Sequence, residues 1–199
     1  MNNALSIRIQ GSAKVGSHLL FSSLVLEVFS ASWTCLLGPS GVGKTTLLRL
    51  IAGLETHVEF KGTISTSDKK KLKNRVAYMA QNDLLLPWAT VLENVTLGAK
   101  LREEKANLDK AGEIIQRVGL DKKTKKKPSN LSGGERQRVA LARTLMEDKP
   151  LILLDEPFSA LDAKTRSEMQ DLAVELLAGR TVLLVTHDPG EAARLCNAI

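Results

Sequence analysis

Cysteine is nearly absent from this sequence. Its two cysteines, Cys35 inside an apolar run and Cys196 near the far end, give neither a disulfide framework nor paired metal-ligand spacing. Both are expected as reduced structural thiols. The N-terminal residues Met1-Asn2-Asn3-Ala4-Leu5-Ser6-Ile7-Arg8 lack the basic-then-apolar order of a leader peptide, so no export is implied. No long apolar run is present either. The most apolar stretch, residues 19–37, contains Glu27 and several serines, and it is expected as strands rather than a membrane span. A membrane role would then require partner proteins. No internal repeat is visible, and 43% hydrophobic with 25% charged residues excludes disordered and collagen-like chains.

Acidic excess is missing too: the formal net charge is +6. Much of it sits in Lys122-Lys123-Thr124-Lys125-Lys126-Lys127, a run with no interleaved aromatics. A solvated lysine-rich loop is the expectation; a nucleic-acid site and attraction to an anionic lipid surface are the other readings.

What the chain does have is Gly38-Pro39-Ser40-Gly41-Val42-Gly43-Lys44-Thr45, a match to G-x-x-x-x-G-K-[ST] at every fixed position. It lies between the apolar run Trp33-Thr34-Cys35-Leu36-Leu37 and Leu47-Leu48-Arg49-Leu50-Ile51, the strand, turn and helix context that this motif requires. Gly38, Gly41 and Gly43 are expected to let the backbone curl with its N–H groups inward, where the helix dipole also points, so that a polyphosphate is cradled. Lys44 would neutralise the β- and γ-phosphates, Thr45 would complete the oxygen shell of Mg²⁺, and Thr46 would meet another phosphate oxygen.

Around this loop, Ile7-Arg8-Ile9 and Leu24-Val25-Leu26-Glu27-Val28 alternate as antiparallel strands do, and residues 58–64 and 75–79 read as further strands. Between residues 82 and 130 the texture turns helical and charged, with helices expected over residues 91–102 and 106–118. Ser132 followed by Glu135 forms a capping-box pattern at the head of an amphipathic helix, which alone gives both residues a structural reason. The uninterrupted run Leu151-Ile152-Leu153-Leu154-Asp155 reads as a buried parallel strand ending in a carboxylate. A helix over residues 163–178 stops at Gly179, the strand Thr181-Val182-Leu183-Leu184-Val185 delivers His187, and Asp188-Pro189-Gly190-Glu191 opens the last helix. Strand and helix alternate, so the core is α/β with a mostly parallel sheet. Asp155 is the expected Mg²⁺ anchor, and Glu156 beside it can polarise an attacking water.

With Leu131-Ser132-Gly133-Gly134-Glu135-Arg136-Gln137 in view, the sequence resembles the ATP-binding cassette of ABC transporters over nearly its whole length. The resemblance implies a P-loop NTPase core with an N-terminal antiparallel β part and an α-helical subdomain inserted before the signature helix. Residues 1–199 would form a single ABC ATPase domain, with the core in residues 1–81 and 131–199 and the helical subdomain in residues 82–130. It makes Glu156 the general base, Gln81 the Q-loop residue and a metal ligand, Ser159-Ala160-Leu161-Asp162 the D-loop, and His187 the switch histidine at the γ-phosphate. Catalysis would then rest on Glu156, His187, Gln81 and Lys44, with ATP and Mg²⁺ as cofactors.

Ser132, Gly133 and Gly134 form a helix N-terminus suited to an anion, yet the chain's own P-loop already serves one nucleotide. In the family, two cassettes face head to tail, each signature covering the ATP on the opposite P-loop, so a homodimer is implied. The segment Leu86-Pro87-Trp88, before Thr90-Val91 and Asn94-Val95, looks like cassettes of bacterial importers for nitrate, sulfonates, taurine and thiamine precursors. There it borders the groove for a permease coupling helix; the alternative is that Trp88 is only a core anchor. The implied partners are integral membrane permease subunits and a solute-binding protein, at the cytoplasmic face of the cell membrane, with no nucleic acid expected. Two departures stand out: Val15 occupies the position where relatives carry an adenine-stacking aromatic, and the sequence stops at Ile199, short of relatives' later elements. A soluble ABC ATPase acting on nucleic acid or translation, and a weakly hydrolysing binding switch, remain the alternative functions.

Overall fold

Alternation builds the first sheet. In β1 (Ile7–Val15), Ile7, Ile9 and Ala13 are buried while Arg8 and Gln10 face solvent. It pairs antiparallel with β2 (His18–Val28) and β4 (Glu59–Thr66), in the order β2-β1-β4. Gly11 stands opposite Gly62 in this register. A Cβ on Gly11 would lie 2.4 Å from the Lys61 carbonyl oxygen, and one on Gly62 would lie 2.1 Å from that of Gln10. Both positions therefore demand glycine because the two paired backbones approach too closely there for a side chain.

The second sheet has the order β3-β7-β6-β5, formed by β3 (Trp33–Leu37), β5 (Val76–Met79), β6 (Leu151–Asp155) and β7 (Thr181–Thr186). β7 runs parallel to both β3 and β6, and every residue of β6 and β7 is buried, as their unbroken apolar runs require. Helix α1 (Lys44–Ala52) supplies Leu47, Leu48 and Ile51 to a core shared with Ile7, Ile9, Val28, Leu151, Leu153, Leu183 and Val185. Gly53, at φ 69°, ends that helix. After α7 (Pro189–Leu195), capped by the Asp188 carboxylate, the chain returns to the free edge of β3. Here the Cys35 N–H donates to the Ala198 carbonyl at 2.8 Å and the Asn197 N–H to the Trp33 carbonyl at 2.9 Å.

The computed structural model describes residues 4–39, 41–54 and 57–199. The chain divides into two units. Both sheets, α1 and α7 belong to the first, made of Met1–Tyr78, Lys149–Glu156 and Ala178–Ile199, apart from Met79 at the end of β5. The second, Met79–Asp148 with Pro157–Leu177, is helical. Its members are α2 (Val91–Val95), α3 (Leu97–Leu101), α4 (Leu108–Arg117), α5 (Gly133–Met146) and α6 (Ala163–Leu176). Val91, Val95, Ala111, Ile114, Ile115, Val139 and Leu141 are all buried there. The single helix expected over residues 91–102 is instead broken at Thr96, which ends α2 and heads α3. Its hydroxyl donates back to the Leu92 carbonyl at 2.8 Å, the kind of local bond that competes with helix continuation.

Candidate nucleotide site

In the first unit, β3 runs into the glycine-rich loop and α1 follows it. Gly41 and Gly43 take φ values of 85° and 93°, the left-handed region that glycine enters without penalty. Gly38 does not, so the curl comes from the two later glycines; Ser40 lies outside the described residues. Gly43 heads α1 with no side-chain cap, and no acidic residue occupies the first turn. The positive end of the helix is therefore uncontested by any carboxylate of its own, which suits an anion. Lys44 is only 7% exposed, and its ammonium donates to the Gly38 and Pro39 carbonyls at 2.7 Å each. Two of its three donors are thus taken up by loop carbonyls among the described residues, and the lysine spans the loop from inside. Pro39, Val42 and Thr45 lie on its exposed side, with Gly38 and Thr46 half-buried.

Asp155 closes β6 and is 1% exposed. Tyr78, from β5, donates its hydroxyl to Asp155 Oδ2 at 3.3 Å, and Thr45 hydrogen-bonds the same carboxylate. Its Oδ1 is buried with no hydrogen-bond partner among the described residues. Burial pushes the Asp155 carboxyl above its ordinary range, opposed by the bonds from Thr45 and Tyr78 and by Lys44, and reinforced by the neighbouring Glu156 charge. Burial likewise pushes the Tyr78 phenol up to about 12, with the Asp155 charge adding to it. A buried, orphaned carboxylate oxygen next to a threonine hydroxyl is a hard-oxygen donor set, and it fits Mg²⁺.

Glu156 sits at φ 49°, a left-handed conformation uncommon for a non-glycine residue. Its N–H donates to the Val185 carbonyl at 2.9 Å, which carries the strand ladder one step past Asp155. The carboxylate, 11% exposed, lies 3.2 Å from His187 Nδ1, whose ring is 55% exposed at the end of β7. One unit thus collects Lys44, Thr45, Asp155, Glu156 and His187 at the ends of strands β3, β6 and β7.

The other sequence-derived residues lie in the second unit. Gln81 is exposed near its start, and Ser132 caps α5. The capping box is complete: the Glu135 N–H donates to Ser132 Oγ at 3.3 Å, and the Ser132 N–H donates to Glu135 Oε2 at 3.0 Å. Gly133 is exposed and Gly134 half-buried, the latter passing beside Ala160 and Leu161, so the signature glycines and the residue 159–162 turn are neighbours. Gln137 of α5 donates to the Pro157 carbonyl at 3.0 Å. Arg136 donates to Asp83 Oδ2 at 3.0 Å, and Arg143 donates to the Asp83 and Leu84 carbonyls at 2.7 and 2.9 Å. The loop after Gln81 is tied in this way to the signature helix.

Trp88 is 69% exposed, so it is no core anchor. The core role in that turn falls to Asn94, which is fully buried. Its amide donates to the Leu86, Ala89 and Thr90 carbonyls at 3.2, 3.1 and 3.0 Å, while its oxygen accepts from the Leu86 N–H at 2.8 Å. Sequence reasoning assigned no role to Tyr78, Asn94, Arg136 or Arg143. A polar residue at a buried helical position was the signal available for Asn94; a single tyrosine in a strand offered none for Tyr78.

A glycine loop with its lysine, a strand-end carboxylate pair and a histidine after the next parallel strand define an ATP-binding cassette. A sequence profile described as ABC transporter matches residues 21–159, and the chain belongs to that family, whose cassettes are ATPases coupled to transport. An uncharacterized ABC transporter ATP-binding protein of Haemophilus influenzae is 48% identical, covering 97% of this chain and 80% of its own length. Proteins named aliphatic sulfonates import ATP-binding protein SsuB, from Rhodococcus jostii and Escherichia coli, are 49% and 42% identical over 87% and 92% of this chain and 69% and 71% of theirs. Among solved structures, a dimeric bacterial ABC transporter cassette superposes with a TM-score of 0.81 at 28% identity, covering 95% of this chain and 91% of that one. No helix among the described residues is long and apolar enough to cross a membrane.

Proposed function

We propose that this chain binds and hydrolyses MgATP, closes on a second copy around two nucleotides, and so drives import of a small solute through separate permease subunits. Residues 1–199 act in this reading as one ABC ATPase domain with residues 82–130 as its helical subdomain. The observation that carries it is the pairing of an uncapped, glycine-headed α1 and its Lys44 with the strained Glu156 that meets His187 at 3.2 Å. The P-loop residues Gly38 to Thr46 hold the phosphates. Lys44 moves its ammonium from the loop carbonyls to the β- and γ-oxygens. Mg²⁺, when bound, neutralises phosphate charge, and Thr45 and Asp155 are the residues that hold it, with Gln81 a further oxygen ligand by family resemblance.

Glu156 accepts the proton of the attacking water, and His187 keeps its carboxylate oriented while sensing the γ-phosphate. Ser132, Gly133 and Gly134 serve the nucleotide of the second copy, which supports the homodimer. Importer relatives and the exposed Leu84 support a permease docking at that face, peripheral to the membrane and on its cytoplasmic side, together with a solute-binding protein. Glu156→Gln is expected to keep ATP affinity while hydrolysis falls by about 100-fold or more. Tagged Glu156→Gln protein, held with MgATP, should capture a multi-span protein from detergent-solubilised membranes. Near-normal turnover would remove Glu156 as the base, and capture of soluble partners alone would end the transporter reading.

A further inference from the structure

The lysine run is the sequence feature that ATP hydrolysis leaves unused. It is not a loose tail. The Lys126 N–H donates to the Lys123 carbonyl at 2.8 Å, the Thr124 hydroxyl to the Asp121 carbonyl at 2.7 Å, and buried Pro128 follows. Two bonds stitch the run to the head of α2: the Leu92 N–H donates to the Thr124 carbonyl at 3.1 Å and the Val91 N–H to the Lys126 carbonyl at 2.9 Å. A third tie reaches α5, where Lys123 Nζ meets Glu135 Oε1 at 2.6 Å. Lys123 is thus spent on the signature capping box. Lys122, Lys125, Lys126 and Lys127 are exposed and make no salt bridge among the described residues.

The turn that the run is stitched to is the one that Asn94 clamps, and it presents Trp88 at 69% and Leu84 at 63% exposure. The facing carboxylates do not cancel the charge. Glu93 is held by the Thr90 N–H and hydroxyl, with Lys100 and Lys127 near it, Glu135 is taken by Lys123, and Asp121 remains at the start of the run. A hydrogen-bonded loop of lysines that make no salt bridge among the described residues, stitched to the segment that carries an exposed tryptophan, combines the electrostatic and interfacial halves of lipid-surface attachment. Single-stranded nucleic acid would call for successive aromatic faces, and the run carries none.

We propose that Lys122, Lys125, Lys126 and Lys127, with Trp88 of the segment to which their loop is stitched, form a contact surface for anionic lipid headgroups. It rests on the reading that this face of the chain works against a membrane-embedded permease. The loop and Trp88 then fix the cassette's orientation over the bilayer, leaving Leu84 for the protein partner.

The test uses the full chain with vesicles of phosphatidylcholine alone or mixed with phosphatidylglycerol, followed by sedimentation and tryptophan emission. Of the two tryptophans Trp33 is 6% exposed, so an emission change reports on Trp88. We expect association that requires the anionic lipid, a blue shift on binding, and release by salt. Replacing the four lysines with alanine should weaken association by about tenfold or more, with ATP hydrolysis in solution unchanged as the check on folding. Absence of binding to anionic vesicles, equal binding to neutral ones, undiminished binding of the four-alanine variant, or retention on single-stranded RNA but not on vesicles would each overturn the proposal. The vesicles contain no permease, so a negative result here is separable from failure of the permease capture.

Discussion

Asp155 is held in a conflict that can be measured. Its carboxyl is buried and pushed above the ordinary range, so the ionised form needed for a metal is costly in the folded chain. A raised folded-state value means that the protonated group favours folding at low pH, and that this contribution is lost as pH rises through the folded value. At neutral pH the charge is therefore a liability without its cation. Asp155→Asn should raise the melting temperature of the nucleotide-free protein by about 2–4 °C at neutral pH, with little change below the ordinary carboxylate range, while hydrolysis is abolished. Thermal melts at two pH values decide it; a lowered melting temperature at neutral pH would mean that the bonds from Thr45 and Tyr78 outweigh desolvation. Asp155 and Glu156 were legible in sequence because an apolar strand ending in two carboxylates downstream of a P-loop is a pattern. Tyr78 was not, since its bond to Asp155 joins strands 77 residues apart.

Elements follow the same division. α5, β6 and β7 were legible because their apolar residues recur at the helical or strand period, and both the Ser132 cap and the Asp188 cap formed as the local residues require. The break at Thr96 and the close glycine pairing of β1 and β4 were not, because each depends on a partner that periodicity does not name. The turn before α2 is likewise organised from a distance, by one buried amide. Asn94→Ala removes the acceptor of the Leu86 N–H and the donor to three carbonyls at once, and should destabilise the second unit by about 2–3 kcal/mol. Denaturant unfolding followed by Trp88 emission reads this; a loss below about 0.5 kcal/mol would mean that water replaces the clamp at no cost.

For the whole molecule, the signature and the P-loop belong to different units, and a second copy is what the proposed cycle requires. Glu156→Gln is expected to be monomeric without nucleotide and dimeric with MgATP, returning to monomer on chelation of the metal; light scattering at fixed protein concentration checks it. Ser132→Ala should weaken that dimer and also cost about 1 kcal/mol of stability through the lost cap, two readouts that separate its roles. A closing association of this kind needs every other route to self-association shut. β3 lies at an edge of the parallel sheet, where open N–H and carbonyl groups would template another strand. Asn197 and Ala198 occupy those groups, and the Asn197 side chain accepts from the Trp33 N–H at 3.2 Å as well. The segment after α7 thus engages the N–H groups of Trp33 and Cys35 and the carbonyl of Trp33, so these groups are not open to a strand from another chain.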